Sequence, residues 1–134
     1  MVASVVVLVL VPAGGVRGLK PLAELENELN TMIQNGQIVE AFEKFYADEC
    51  VMRDQGFEPW EGKDLNRERE KDFVSKITEF RAGTMIDGAV GEDVTFSTWH
   101  FDYTHAEWGE VKYDQVAVRH WKDGQIVSER FYRG

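Results

Sequence analysis

Close to its C-terminal end the chain puts an imidazole and a carboxylate into a run that is otherwise largely apolar. Asp114 to Tyr132 reads as two alternating segments joined at Lys122-Asp123-Gly124, a turn of hairpin type. A period of two places Val116, Val118 and His120 on one face, and Val127, Glu129 and Phe131 can join them across the hairpin. Water-poor surroundings raise a carboxyl pKa towards neutrality, so an acid and a histidine held together there can pass protons to and from a carbonyl compound. The candidate acid/base residues of this hairpin are therefore His120 and Glu129, with Phe42, Phe45, Trp60, Phe73, Trp99, Phe101, Tyr103 and Phe131 as the aromatic residues that could wall a site around them. The same residues have a second reading, in which His120 and Glu129 form a cross-strand hydrogen-bonded pair that fixes sheet register.

Other groupings carry less chemistry. His100, Asp102 and His105 have the residue types of a divalent-metal site. Alternation, however, sends His100 and Asp102 to the side opposite Trp99, Phe101 and Tyr103, towards solvent or a partner, and no metal is expected. Trp121, with Ala117 and Arg119, takes the face away from His120, which suits a subunit contact. Phosphate loops, serine nucleophile elbows and metalloprotease helix motifs are absent. Cys50 is the only cysteine, which rules out an internal disulfide and Cys-rich metal sites; it reads as a small buried hydrophobe on a strand. A formal charge of −9 without any Lys/Arg cluster argues against nucleic acid and acidic membrane surfaces as partners.

The elements that must position these groups follow from periodicity. Val2 to Val11 is almost wholly aliphatic and leads into a Gly-rich connector, so residues 1–20 read as a signal-like or disordered leader. Ten residues are too few to span a bilayer as a helix, and a signal segment lacks its usual basic start. The compartment is cytoplasmic on this reading, or secreted or periplasmic if residues 1–18 are a signal. Residues 21–134 form one domain. Pro21 starts a helix with Leu22, Leu25, Leu29 and Ile33 on one side, ending at Asn35-Gly36, and a shorter helix runs from Gln37 to Tyr46. Cys50 to Arg53 is extended and Gly56 to Gly62 is a loop. Asp64 caps a third helix with Leu65, Phe73, Ile77 and Phe80 inward and Arg67 to Asp72 as a solvated charged face. Four strands follow: 85–90, 94–104, 111–121 and 125–132. Helices first and an antiparallel meander after them make an α+β domain.

Ala41 to Val51, the Gly56–Gly62 loop, the Gly62-Lys63 helix entry and the closing Trp121 to Glu129 together resemble the SnoaL-like branch of the nuclear transport factor 2-like superfamily, over about Leu22 to Tyr132. The resemblance implies a cone-shaped, strongly curved antiparallel sheet with the N-terminal helices in its concave face, a cystatin-like α+β barrel. It further implies an apolar pocket at one end and a homodimer through the outer sheet face. Against the ketosteroid isomerase pattern, Asp54 falls on the general base, so the resemblance implies it as a third candidate catalytic residue beside His120 and Glu129; in the reading without catalysis it is a loop carboxylate, solvated or bonded to backbone amides. Val116 stands where that enzyme has a protonated aspartate, and no tyrosine lies near Leu29 or Asn30, so steroid isomerisation is not expected. Polyketide cyclases of this branch use an acidic residue and a histidine, residue types that His120 and Glu129 offer.

The expected function is thus a pocket for a small apolar or carbonyl-bearing molecule, with cofactor-free isomerisation, cyclisation or dehydration by Asp54, His120 and Glu129. Trp60, Phe73, Trp99, Phe101, Tyr103 and Phe131 hold the ligand, and Tyr103 is placed to donate to developing oxyanion charge. The alternative is a ligand-binding or dimerisation module without turnover.

Overall fold

The computed structural model describes residues 19–134, so the reading of the apolar leader falls outside the described residues but for its last two. Helix α1 (Leu22–Gln34) begins on Pro21, whose carbonyl accepts from the amides of Glu24 and Leu25 at 3.0 and 3.1 Å. It ends where Gly36 takes φ 81°, a left-handed conformation that glycine adopts without a Cβ penalty. Helix α2 (Ile38–Phe45) runs straight into strand β1 (Tyr46–Arg53), which starts four residues earlier than its apolar end suggests. The two-residue strand β2 (Trp60–Glu61) interrupts the expected loop.

Helix α3 (Lys63–Ser75) has Gly62 at its N-cap, and Asp64 lies inside the first turn in an ion pair with Arg67. The helix stops before Ile77, which opens strand β3 (Ile77–Val90). Phe80 is therefore a strand residue, and both Leu65 and Phe80 are exposed. The side that α3 turns inward is a stripe of Asn66, Glu70 and Phe73 at helical spacing, with Asn66 0 % exposed and the other two half-buried. Asn66 earns that position by donating to the carbonyls of Trp60 and Gly62, both at 2.9 Å.

Strands β4 (Val94–His105), β5 (Gly109–Lys122) and β6 (Gln125–Arg133) complete one six-stranded open sheet in the order β2-β1-β6-β5-β4-β3. All pairings are antiparallel except β1 with β6, which is parallel and departs from a pure meander. Leu29, Phe42, Phe45, Cys50, Met52, Trp121 and Ile126 form the core between the helices and the sheet. Cys50 is wholly buried, and that burial pushes its thiol up to about 11, in keeping with a packing role. The architecture is α+β, with the N-terminal helices against one face of an unclosed sheet. No helix among the described residues is long and apolar enough to cross a membrane.

Register overturns one expectation. Ala117 lies opposite Phe131 and Arg119 opposite Glu129, while beyond them Trp121 lies opposite Ile126. Val127 is left over as a bulge residue, which lets Ile126 and Glu129 face the same way despite their odd spacing. Ala117, Arg119 and Trp121 are thus the buried inner face of β5, and Val116, Val118 and His120 point outward. Trp121 belongs to the core and not to a subunit contact.

Candidate functional site

The helices and the inner sheet face enclose a cavity of about 360 Å³. Leu29, Phe42, Met52, Trp99, Phe101, Ala117 and Phe131 give it apolar walls, and its deep end is formed by Tyr46, Arg119 and Glu129. Exposed side chains mark the mouth: Asp72, Glu107 and Trp108, the last 60 % exposed. Lys76 ties this rim together, 3.2 Å from Asp72 and 2.9 Å from Glu107. The volume lies at the small end of the range for small-molecule sites, and apolar walls with a few polar groups are their usual lining.

Arg119 organises the deep end. Its guanidinium donates to Glu129 at 2.7 Å, to Glu26 at 3.0 Å and to Asn30 at 2.7 Å. Tyr46 donates to the other oxygen of Glu129 at 2.5 Å, and Thr95 donates to Glu26 at 2.8 Å. Burial on its own would lower the Arg119 pKa, but the charges of Glu129 and Glu26 hold it above its ordinary value, so it stays charged. Burial, and then the Glu129 charge, push the Tyr46 phenol well up, so it remains a donor. With Arg119 2 % and Glu129 1 % exposed, this is a buried polar network, and no fully buried side-chain oxygen or nitrogen among the described residues lacks a partner.

The expected catalytic trio does not assemble. Glu129 points inward and lines the cavity, but Arg119 and Tyr46 hold both its oxygens. Asp54 also lines the cavity, with its carboxylate ion-paired to Arg133 and accepting the Gln55 amide at 2.8 Å. His120 is exposed on the outer face opposite Ser128, which corrects both its inward placement and its pairing with Glu129. The cross-strand partner that Glu129 does have is Arg119.

Of the expected wall residues, Phe73, Trp99, Phe101, Tyr103 and Phe131 line the cavity. Trp60 does not: its ring lies under the Arg69 guanidinium at 3.4 Å and beside Phe57 at 5.3 Å. Phe45 packs edge-on against Trp121 in the core. The three residues considered for a metal separate. His100 bonds Asp114 at 2.7 Å, Asp102 bonds Arg81 at 2.8 Å, and His105 is buried on the inner face, stacked 3.7 Å from Trp108. No cluster of three metal-ligand side chains occurs among the described residues.

The group that sequence reasoning passed over is Glu70. It sits in the charged run of α3, yet it faces the cavity one turn before Phe73. Its carboxyl has no hydrogen bond or ion pair from the described residues. Burial, reinforced by Glu129 and opposed by Arg69, raises it to about 7. A carboxyl in that range is half-protonated at neutral pH and is suited to giving and taking protons. The one signal in the sequence is its helical spacing to Phe73 on one side and to Asn66 on the other. His105, Tyr103 and Tyr113 join the same lining, the two phenol oxygens 3.0 Å apart.

The model of the SnoaL-like domain family matches residues 22–133. Among solved structures, a proposed SnoaL-like polyketide cyclase of Mesorhizobium loti is 25 % identical, with a TM-score of 0.76 over 84 % of this chain and 99 % of that one. A second proposed SnoaL-like polyketide cyclase, from Jannaschia sp. CCS1, superposes with a TM-score of 0.70 at 9 % identity, covering 87 % of this chain and 90 % of its own. An NTF2-like protein of unknown function from Cytophaga hutchinsonii gives 0.70 at 11 % identity, covering 85 % of this chain and 100 % of that one. The last two similarities speak for the fold alone. No curated protein matches the chain significantly.

Proposed function

The chain belongs to the SnoaL-like domain family, and from that membership and the lining of its cavity we propose that it binds a small, mostly apolar, carbonyl-bearing molecule and exchanges a proton with it through Glu70. The observation that carries this reading is a cavity carboxyl without a partner among the described residues, raised to about 7 among aromatic walls. Isomerisation, cyclisation and dehydration next to a carbonyl all begin with such a transfer and require neither a metal nor an organic cofactor. Asp54 and Glu129 take supporting roles, one holding Arg133 and the other holding Arg119. The engagement of both carboxylates also favours a second reading, a pocket that binds without turnover.

A thermal-shift screen with small ketones, phenols and aromatic acids identifies binders, since a native-state ligand raises the melting point by mass action. Ketone hits are then incubated in D2O and their α-hydrogen exchange followed by NMR. Exchange that disappears in Glu70→Gln supports proton transfer, and binding without exchange selects the module reading. A screen without any hit would remove the pocket from consideration.

The homodimer is proposed through the outer sheet face. Phe96, 42 % exposed, lies opposite Val118 there, with Val116 and Tyr132 alongside. This is an apolar patch on the side that the helices leave open.

A further inference from the structure

We infer that the paired hydroxyls of Tyr103 and Tyr113 are the seat of the ligand's carbonyl oxygen and hold the negative charge that this oxygen gains during proton transfer. The inference rests on the proton-transfer reading given above and names the functional group that the substrate must present, an enolisable ketone or aldehyde.

The two phenols come from adjacent strands, β4 and β5, with rings at 81° and hydroxyl oxygens 3.0 Å apart. One hydroxyl donates to the other, and the acceptor's own hydrogen is then left without a protein partner among the described residues. Whichever way the pair is oriented, one O–H is free, and both residues line the cavity. Burial raises both phenols above their ordinary pKa, so at neutral pH they serve as donors and not as bases.

A neighbouring cation favours an anion at that spot, with the carboxylate of Asp54 acting against it at Tyr113. The Arg133 guanidinium lies 5.4 Å from the centre of the Tyr113 ring and is held there by Asp54. Among other donors near the cavity, Tyr46 is bonded to Glu129, Arg119 donates through Nε and Nη1 to Glu129, Glu26 and Asn30, and Arg69 is stacked on Trp60 and bonded to Asn66. On the opposite side, Phe73 packs edge-on against the Tyr103 ring at 5.6 Å and belongs to the same stripe of α3 as Glu70. Carboxyl and hydroxyl pair therefore face one ligand space from a helix and from the sheet.

The step balances within these residues. The Glu70 carboxylate takes a proton from the carbon next to the carbonyl, the C–H electron pair forms the C=C bond, and the C=O π pair moves to oxygen. The resulting enolate oxygen accepts the free tyrosine O–H, and the proton on Glu70 returns to carbon or to a leaving group.

The probe is 4-nitrophenol, whose phenolate oxygen on a flat ring resembles an enolate and whose colour reports ionisation; 4-nitrotoluene is the same shape without the oxygen. The wild type is expected to bind the phenolate and to ionise the bound probe at lower pH than in water. Tyr103→Phe and Tyr113→Phe are each expected to weaken phenolate binding ten- to a hundredfold, the worth of a hydrogen bond to a charged group. Binding of 4-nitrotoluene should be unchanged, which also certifies that the variants fold. In Glu70→Gln the phenolate should bind more tightly at pH 8, because a like charge has gone. Equal losses for both probes, or no loss in either tyrosine variant, would overturn the seat. If the seat passes while Glu70→Gln retains α-hydrogen exchange, the assignment of Glu70 fails and the seat stands. If neither probe binds the wild type, both fall.

Discussion

Replacing Glu70 by glutamine should make the protein more stable, and by an amount that depends on pH. The carboxyl is lifted from its ordinary 4.5 to about 7 by burial, with Glu129 adding to the effect. Each tenfold change in acidity corresponds to about 1.4 kcal/mol, so keeping Glu70 ionised in the fold costs about 3 kcal/mol. The sign follows from proton counting: between pH 4.5 and 7 the folded chain binds more protons at this site than the unfolded chain, so its stability falls as pH rises through that window and levels off above it. Glutamine has the same shape and nothing to titrate. Urea unfolding of wild type and Glu70→Gln at pH 4.5 and pH 8 should give similar midpoints at the lower pH. At pH 8 the variant should be ahead by about 3 kcal/mol, or roughly 10 °C in melting temperature for a domain of this size. Charge repulsion across an acidic chain acts on both proteins and cancels in the difference. A variant no more stable at pH 8, or equally favoured at both pH values, would refute the account of Glu70 as a carboxyl penalised by its surroundings. The prediction also casts Glu70 as a group retained at the expense of stability, the usual mark of function.

Three further outcomes follow from the geometry. Arg119→Met leaves Glu26 and Glu129 buried without their cation and should destabilise by about 3–5 kcal/mol in urea unfolding, whereas Lys112→Met, which removes an exposed cation on the same strand, should change the unfolding free energy by less than about 0.5 kcal/mol. His120→Ala removes an outward imidazole and should leave ligand-induced stabilisation intact; a lost thermal shift would return His120 to the site. Phe96→Lys places a charge in the apolar patch on the outer face and should convert a sedimenting dimer into a monomer, while a wild type that already sediments as a monomer would remove the dimer.

The order of helices and strands was legible because apolar residues recur at helical steps in α1 and α2 and at alternate positions in β4 to β6. The end of α3 was not, since Ile77 and Phe80 continue a helical spacing from Phe73 that the chain abandons for a strand. Half of the site could be read in the same way: Glu129, Phe131, Trp99, Phe101 and Tyr103 point where alternation sends them. The error over His120 has a physical origin. On β5 the more apolar set, Val116 and Val118, is on the outside, and the inner set of Gln115, Ala117 and Arg119 is polar or small because it meets the cavity and the acids of α1 and β6. An apolar-in rule inverts such a strand, and the bulge at Val127 hides the correct pairing with β6. Glu70 escaped for a related reason: α3 turns inward a buried asparagine and a half-buried glutamate beside its phenylalanine, a pattern that hydrophobic periodicity cannot register.

The parallel seam between β1 and β6 has a bearing on how the chain comes to be folded. Tyr46 and Glu129 meet across 83 residues of sequence. On a ribosome, α1, α2 and β1 emerge long before the strand that must lie beside β1, and only β2 can pair with it in the interval. Contacts that remote make assembly slow and leave β1 with an open hydrogen-bonding edge meanwhile. The two parts of the sheet, β2-β1 and β5-β4-β3, are therefore joined only when β6 is made, and a nascent chain stalled before Gln125 would present an aromatic, half-built interior to whatever chaperone is at hand.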